Sequence, residues 1–399
     1  MRLNPNVPTK TRGNAALVAR LGHGHGESDV VGALPTGPVL SYRSGHDLSE
    51  PERTRLADAL WTTVLSASAG TDPGTDPALI VLRRRPPAEL YWEAVRRIVT
   101  MNEVRRWLAG TAPIIRSVPS GVGQIGAAAA LAWPGSHPTW EAIAYREPAR
   151  WGTDRQVDRA SVARAVKRHR ELFLCFDART RRLLIAPHTA CPILFGLRAT
   201  SPQAAMEALH ELRSEPVARW LLFRTNQGTG DHVRQPWPIP AVPYSAGTLS
   251  GRLAERPVPG RGGHLVFPLE LDSGARVRCA VFEPTKTLPR VIRSLLPGDR
   301  VRLWGGSQGD PVFRVEGLDL VSLRPRQAPP ANPRCPTCAH RMGSLGAGRG
   351  FRCARCRHRS PPESRRAVRV PPEFPVGRYH PTPSARRHLA PRGPEPGVP

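Results

Sequence analysis

An α+β multidomain chain that ends in an OB-type β-barrel and a zinc ribbon is the fold this sequence predicts, on three patterns. Strands and helices alternate over residues 139–225, which gives a sheet with helices on one face. Five apolar strands with a helix between the third and fourth fill 247–323, the order of an OB barrel. Two Cys-x-x-Cys knuckles, Cys335/Cys338 and Cys353/Cys356, stand fourteen residues apart. Two such turns facing each other offer four thiolates in the tetrahedron that Zn²⁺ takes in a closed structural site. A redox pair or two disulfides is the competing reading; the doubled motif at this spacing favours zinc.

Residues 1–120 read as an N-terminal α+β part. Two X-Pro steps make 1–14 extended, with Lys10, Arg12 and Gly13 at its turn. Ser49, with Glu52 three residues on, reads as a capping box for a helix whose apolar face is Leu56, Leu60, Val64 and Leu65. A strand over 79–82, a single helix over 88–108 and a Gly- and Ala-rich helix over 121–133 follow. Residues 121–233 form a second α+β region, with strands at 140–145, 172–177, 183–186, 193–198 and 217–223. Its helices cover 157–170 and 202–212, the second capped by Ser201. Polar clusters at 188–192 and 225–232 flank these strands, and loops at strand ends are where ligands are usually held.

A Pro-rich linker at 234–244 leads into the barrel, residues 245–325. Its strands are expected at 247–256, 263–271, 275–283, 300–305 and 312–323, its helix at 287–296. The ribbon occupies 331–360, and the Pro- and Arg-rich tail 361–399 carries no core of its own.

Charge narrows the partner. The chain carries 58 basic and 32 acidic residues, a formal net charge of +26. Lysine occurs only at positions 10, 167 and 286, so 55 of the basic residues are arginine. The base composition of a GC-rich genome accounts for Arg over Lys. It does not account for the excess over acids, which fits a polyanion. Residues 331–399 hold 14 Arg against 3 Glu, so barrel, ribbon and tail read as a basic clamp on nucleic acid. The polar start does not read as a signal peptide, no apolar run reaches membrane-spanning length, and Cys175, Cys191 and Cys279 are too few for a secreted disulfide scaffold. The cytoplasm is the expected compartment.

Several longer stretches together resemble one family. They are RLNPNVPTKTRGN at 2–14, GQIGA at 123–127, WEAIAYREPARWGT at 140–153, APHTACPILFGLRA at 186–199, TNQGT at 225–229, CAVFEPTK at 279–286, the cysteine knuckles and PSARRHL at 383–389. In this order they are similar to the archaeal tRNA-Ile 2-agmatinylcytidine synthetases, or tRNA agmatidine synthetases. The resemblance implies a kinase-like domain that binds ATP, a ferredoxin-like domain that helps form the substrate pocket, and barrel and ribbon modules that hold tRNA. It implies an ATP- and Mg²⁺-dependent ligase acting on the wobble cytidine of the isoleucine tRNA with a CAU anticodon. ATP phosphorylates the oxygen on carbon 2 of cytosine, and the primary amine of agmatine displaces it.

By motif position, the resemblance puts ATP at Lys10, Thr11, Arg12, Gly13 and Asn14. It makes residues 121–233 the substrate and catalytic region, with catalysis at His188, Thr225, Asn226 and Asp231, and agmatine or cytidine at Thr189, Cys191, Pro192, Arg198 and His232. It puts tRNA at Phe282, Lys286, Arg352, Arg386 and Arg387, and structural Zn²⁺ at Cys335, Cys338, Cys353 and Cys356. Arg349, Arg355 and Arg357 join Arg352 on the ribbon face offered to tRNA.

The sequence departs from the family in three places. Thr9 stands where an aromatic residue is usual, and Gly230 separates TNQGT from Asp231. The acidic Gly-x-Asp-Asp-Thr-Asp-Ser loop that precedes this region in the family is not in the sequence. A start placed too late explains this, and in-frame translation of the upstream DNA is expected to encode the loop. A non-catalytic RNA-binding protein is the alternative; a generic single-strand DNA binder has no use for the 186–192 and 225–229 loops. Agmatine- and ATP-dependent modification of the tRNA separates ligase from binder.

Overall fold

The computed structural model describes residues 30–33, 48–68, 76–188, 191–308, 310–328, 331–365 and 368–386. Lys10, Thr11, Arg12, Gly13, Asn14, Thr189 and Arg387 lie outside the described residues.

The N-terminal layer is short. β1 (Val30–Ala33) crosses to the central sheet. α1 (Glu50–Ser68) starts as its capping residues dictate: the Ser49 backbone N–H and hydroxyl both donate to Glu52 Oε2, at 2.8 and 2.7 Å. β2 (Ala78–Val81) pairs antiparallel with β3 (Ile114–Ser117). The single helix expected over 88–108 is two, α2 (Ala88–Arg96) and α3 (Met101–Leu108). Arg97 is extended at φ −152°, and Thr100 opens α3 with a complete capping box to Glu103. The box provides the N-terminal donors of α3 with partners, so the helical periodicity of 88–108 is interrupted by a fresh start. Leu90, Tyr91, Ala94 and Val95 of α2 pack on Ala128, Ala129 and Ala132 of α4 (Gly123–Ala132).

The central sheet has the order β1–β8–β4–β7, with β4 (Thr139–Arg146), β7 (Ile193–Ala199) and β8 (Val217–Thr225). Both β7 and β8 run antiparallel to β4. Side chains alternate between faces along a strand, and here the two faces differ. Ala142 and Ala144 meet α5 (Arg159–Arg168) and α6 (Pro202–Glu211) in one apolar cluster. Thr139 and Glu141 lie on the other face, buried and polar. Asp158 caps α5 through the N–H groups of Ala160 and Ser161, and the Ser201 hydroxyl accepts from Ala204 N. Where long strands were expected over 172–177 and 183–186, only a short hairpin forms, β5 (Phe176–Asp177) with β6 (Arg182–Leu183). Leu174 at φ +50° breaks the first run, leaving Leu172 one bridge to Ala199.

The third unit is a closed five-stranded barrel. After β9 (Val233–Arg234) come β10 (Ala246–Leu253), β11 (Val258–Pro259), β12 (Leu265–Leu271), β13 (Arg276–Val281), α7 (Thr287–Arg293), β14 (Arg300–Gly306) and β15 (Phe313–Ser322). β12 pairs with β10 and β13, β13 runs parallel to β15, and β14 joins β15 back to β10. The expected strands and helix all appear, because the barrel's period-2 burial is written locally along each one. Asp299, fully buried, pins the turn before β14. It accepts from Leu296 N and Arg324 N, both at 2.8 Å, and from the Arg326 guanidinium at 2.6 and 3.0 Å.

β16 (Arg326–Ala328) leads into the ribbon strands β17 (Gly343–Ser344), β18 (Phe351–Arg352) and β19 (Arg359–Ser360); β20 (Val368–Val370) then returns antiparallel to β16. The tail does not hang free over its described length. β21 (Gly377–Tyr379) adds antiparallel to β15, Phe374 and Tyr379 pack on the barrel core, and Arg378 binds Asp319 at 2.7 and 3.1 Å. It has no core of its own because it borrows the barrel's. No helix among the described residues is long and apolar enough to cross a membrane.

Replacing Asp299 by Ala leaves the nearly buried Arg326 and two N–H groups without their acceptor. We expect a loss of ~3–5 kcal/mol in denaturant unfolding, as for one partner removed from a buried pair. Burial opposes ionisation of Asp299, but Arg326 and the two N–H donors outweigh it and lower its pKa. The stability it supplies is therefore present above the ordinary Asp range and lost as pH falls through the lowered value. A wild-type melting temperature insensitive to acid in that window would contradict this.

Candidate active site and metal centre

The loop that leaves β8 turns twice on glycine, at Gly228 (φ +66°) and Gly230 (φ +74°), and so returns its polar residues to the sheet end. Thr225, Asn226, Gln227 and His232 are buried there. Asp231 meets the hydroxyl of Tyr91 from α2 in a very short hydrogen bond. Asn226 Nδ2 donates to the same hydroxyl at 3.2 Å, and Arg96 Nε donates to Asp231 O at 3.1 Å. The Arg96 guanidinium lies 4.5 Å from the Trp92 ring centre. Burial raises the Asp231 pKa, against the hydrogen bonds from Tyr91 and Thr229 and the charge of Arg96. Burial and the Asp231 charge likewise raise the Tyr91 phenol. Tyr91 therefore stays a donor, and Asp231 is a stronger base than an ordinary carboxylate.

Beside this joint lies a second buried set on the polar face of the sheet. Arg198 donates to Gln227 Oε1 at 2.9 Å, sits 3.3 Å from Glu141 and donates to Leu174 O at 3.0 Å. Gln227 Nε2 closes on Glu141 Oε2. Glu141 and Arg198 are register partners on β4 and β7 and so share a face. Gly196 is the residue that lets Glu141 lie flat; a Cβ there would be 2.8 Å from Glu141 Oε1. The Thr139 hydroxyl contacts that of Thr225 at 2.8 Å and donates to Gln227 O at 2.8 Å, fixing the start of the loop.

The expected site residues fall into separate places. Thr225, Asn226, Asp231, His232 and Arg198 share one end of the sheet. His188, Cys191 and Pro192 sit at the other: Thr225 pairs with Thr139, whereas Ile193 pairs with Tyr145 and Pro192 O accepts from Arg146 N at 2.8 Å. The length of β4, ~23 Å at ~3.3 Å per residue, lies between them. One loop precedes its strand and the other follows its strand, and both strands point the same way. His188 is exposed and pairs with Arg182 at 3.1 Å; Cys191 Sγ lies 3.4 Å from Arg155.

Tyr91, Arg96, Glu141 and Gln227 belong to the site and were not expected there. Tyr91 has the spacing of a core helix residue. Glu141 did carry a signal, an acid on a buried strand. At the barrel, Phe282 stands edge-on to His264 with centroids 4.8 Å apart, and Arg314 lies 5.7 Å from its ring. Lys286 is exposed and paired with Glu283 at 2.6 Å. Arg352 is on β18, and Arg386 Nε donates to Pro381 O at 3.1 Å.

The four ribbon cysteines are unlinked thiols whose sulfurs lie within 4.8 Å of one another, with separations of 3.4, 3.5 and 3.6 Å. The two knuckles are alike. Cys335 N donates to His340 O and Ala339 N to Cys335 O; Cys353 N donates to His358 O and Arg357 N to Cys353 O. Four sulfurs at these separations fit a tetrahedral metal with Zn–S bonds near 2.3 Å, with no position left for a reacting water. Among the described residues this is the one cluster of three or more His, Cys, Asp or Glu that could hold a metal.

Three family models match the sequence: the TiaS TCKD domain over residues 1–112, the TiaS FLD domain over 121–232 and the TiaS C-terminal zinc ribbon domain over 332–371. The isoleucine-2 tRNA 2-agmatinylcytidine synthetase TiaS of Methanosarcina mazei is 34% identical over 402 residues, which cover 98% of this chain and 87% of the relative. A complex of TiaS with isoleucine-2 tRNA and ATP matches with a TM-score of 0.76 at 29% identity, covering 98% of this chain and 86% of that one. A complex of TiaS with isoleucine-2 tRNA, AMPCPP and agmatine matches with a TM-score of 0.70 at 28% identity, over 84% and 80%.

Elemental analysis of purified protein is expected to find about one zinc per chain. Cys353→Ser should lose the metal and expose the ribbon to protease while barrel fragments survive. Full zinc content in that variant would exclude the four-thiolate site.

Proposed function

The chain belongs to the TiaS family of isoleucine-2 tRNA 2-agmatinylcytidine synthetases, and on that premise we propose that it is an ATP-dependent carbon–nitrogen ligase joining agmatine to the wobble cytidine of the CAU-anticodon isoleucine tRNA. The observation that carries this is a match over 98% of the chain to a relative bound to isoleucine-2 tRNA and ATP. Its working compartment is then the cytoplasm.

Finer assignments extend that reading. The order β8–β4–β7 with Leu172 beyond β7, and one helix after each of β4 and β7, supports a ferredoxin-like domain. The barrel closure with α7 between β13 and β14 supports an OB fold. A kinase-like domain over the N-terminal part would bring ATP and Mg²⁺ to Lys10, Thr11, Arg12, Gly13 and Asn14. ATP supplies the phosphoryl group that turns the cytosine C2 oxygen into a leaving group. The agmatine amine forms the new C–N bond at C2, the C–O bond breaks, and phosphate departs with that oxygen.

Agmatine is a dication in water, and its ammonium must lose a proton before it attacks. Asp231, its pKa raised by burial, is the group proposed to accept that proton. Tyr91 and Asn226 would hold the carboxylate in one orientation. Glu141, Arg198 and Gln227 are proposed as the wall of the pocket rather than its reactive groups, because their polar atoms are committed to one another.

The test is incorporation of radiolabelled agmatine into the isoleucine tRNA transcript with ATP. Asp231→Asn should lower kcat by ~10²–10⁴. The same variant should melt higher than wild type at pH 7, since the folded state disfavours the ionised Asp231. That advantage should shrink as pH falls through the raised pKa of folded Asp231, where the folded chain takes up the proton, and be gone below the ordinary carboxylate range. Wild type without ATP-dependent labelling would refute the ligase; full activity in Asp231→Asn would refute the base.

A further inference from the structure

The end of the sheet away from Tyr91 and Asp231 carries an open groove of about 670 Å³. Its wall runs from Gly152 through the start of α5 to the β5–β6 turn and His188. Arg159, Arg181 and Arg182 are exposed on it, and among the described residues none of the three is paired with a carboxylate. Arg155 is different: its guanidinium is committed to the carbonyls of Pro187, Cys191 and Ile193 and so shapes the wall. Asp154 is the one acid lining the groove.

Trp151 immediately precedes this wall. Its side chain is one of the largest apolar groups on the surface, 52% exposed, yet it is held: Nε1 donates to Arg146 O at 3.3 Å and its backbone N–H to Pro148 O at 3.1 Å. A held indole one residue before this wall, with guanidinium groups free of carboxylate partners along it, supplies the two elements of a single-strand nucleic-acid site, a stacking platform and phosphate-binding cations. Arg181 at φ +54° and the Arg182–His188 contact set the far rim.

We propose that Trp151 stacks an unpaired nucleotide of the tRNA while Arg159, Arg181 and Arg182 bind the adjoining phosphates. This is a second RNA contact on the sheet domain, roughly a sheet's length (~23 Å) from Asp231 and distinct from barrel and ribbon. It rests on the tRNA-ligase reading. It also gives His188 a place on the RNA-facing rim instead of in the chemistry.

Anisotropy of fluorescein-labelled isoleucine tRNA with the full chain tests it, across salt from about 50 to about 200 mM. Trp151→Ala should weaken binding by ~5- to 150-fold, and Trp151→Phe, which keeps a π face, should recover most of that. Replacing Arg159, Arg181 and Arg182 together by Ala should reduce the slope of log affinity against log salt by about 2. If neither the Trp151→Ala nor the triple variant moves affinity or slope while wild type binds, the groove is not an RNA site and the ligase reading stands. If Phe recovers nothing, stacking is overturned. Wild type that does not bind the tRNA at all overturns both.

Discussion

The hydrogen bond between Tyr91 and Asp231 is the joint on which the site depends. Tyr91 is fully buried in the core of the N-terminal layer, so packing fixes its ring. Asp231 belongs to the loop that leaves the central sheet. A phenol left without a partner at that depth costs ~1–3 kcal/mol, so the helix layer and the loop are held to each other by a polar contact that neither can release without that penalty. Arg96 adds a second strand to the joint by reaching the Asp231 carbonyl.

The same constraint governs the charges. A chain with so many arginines invites the reading that they all face nucleic acid. Several do not. Arg146 lies against Glu215, both almost wholly buried, with Nε–Oε1 at 2.6 Å and a second contact at 3.1 Å. Arg198 serves the polar face of the sheet, and Arg326 the turn at Asp299. Arg146 and Arg326 each set a planar fork on a carboxylate, and Arg198 spreads its donors over Gln227 and the Leu174 carbonyl, geometries a lysine would not replace. The free positive charge available to RNA is what remains after these interior pairs are removed.

What could be read from the sequence divides by distance along the chain. The zinc knuckles and the barrel strands repeat over a few residues, so spacing and alternation expose them. The break between α2 and α3 was equally local, since Thr100 and Glu103 have the spacing recognised at Ser49 and Glu52; the apolar helical pattern of 88–108 masked it. Tyr91 and Asp231 are 140 residues apart, and nothing near either names the other. The placement of His188 and Asp231 at opposite ends of one sheet depends on strand direction, which only the pairing of β4 with β7 and β8 reveals. The hold of β21 on β15 is likewise a pairing, set by the stretch of β15 that β13 does not reach rather than by the tail's own composition.

The clasp of β16 with β20 has a consequence for how the ribbon works. Its two ends leave and rejoin the barrel side by side, so the zinc module is a closed excursion and not a free terminus. A module leashed in this way cannot diffuse away. On the proposal that barrel and ribbon both hold the tRNA, its arginines would meet an RNA seated on the barrel at a local concentration fixed by the length of the excursion, whatever the amount of protein in solution. Dilution therefore weakens the first encounter with RNA and leaves the second unchanged.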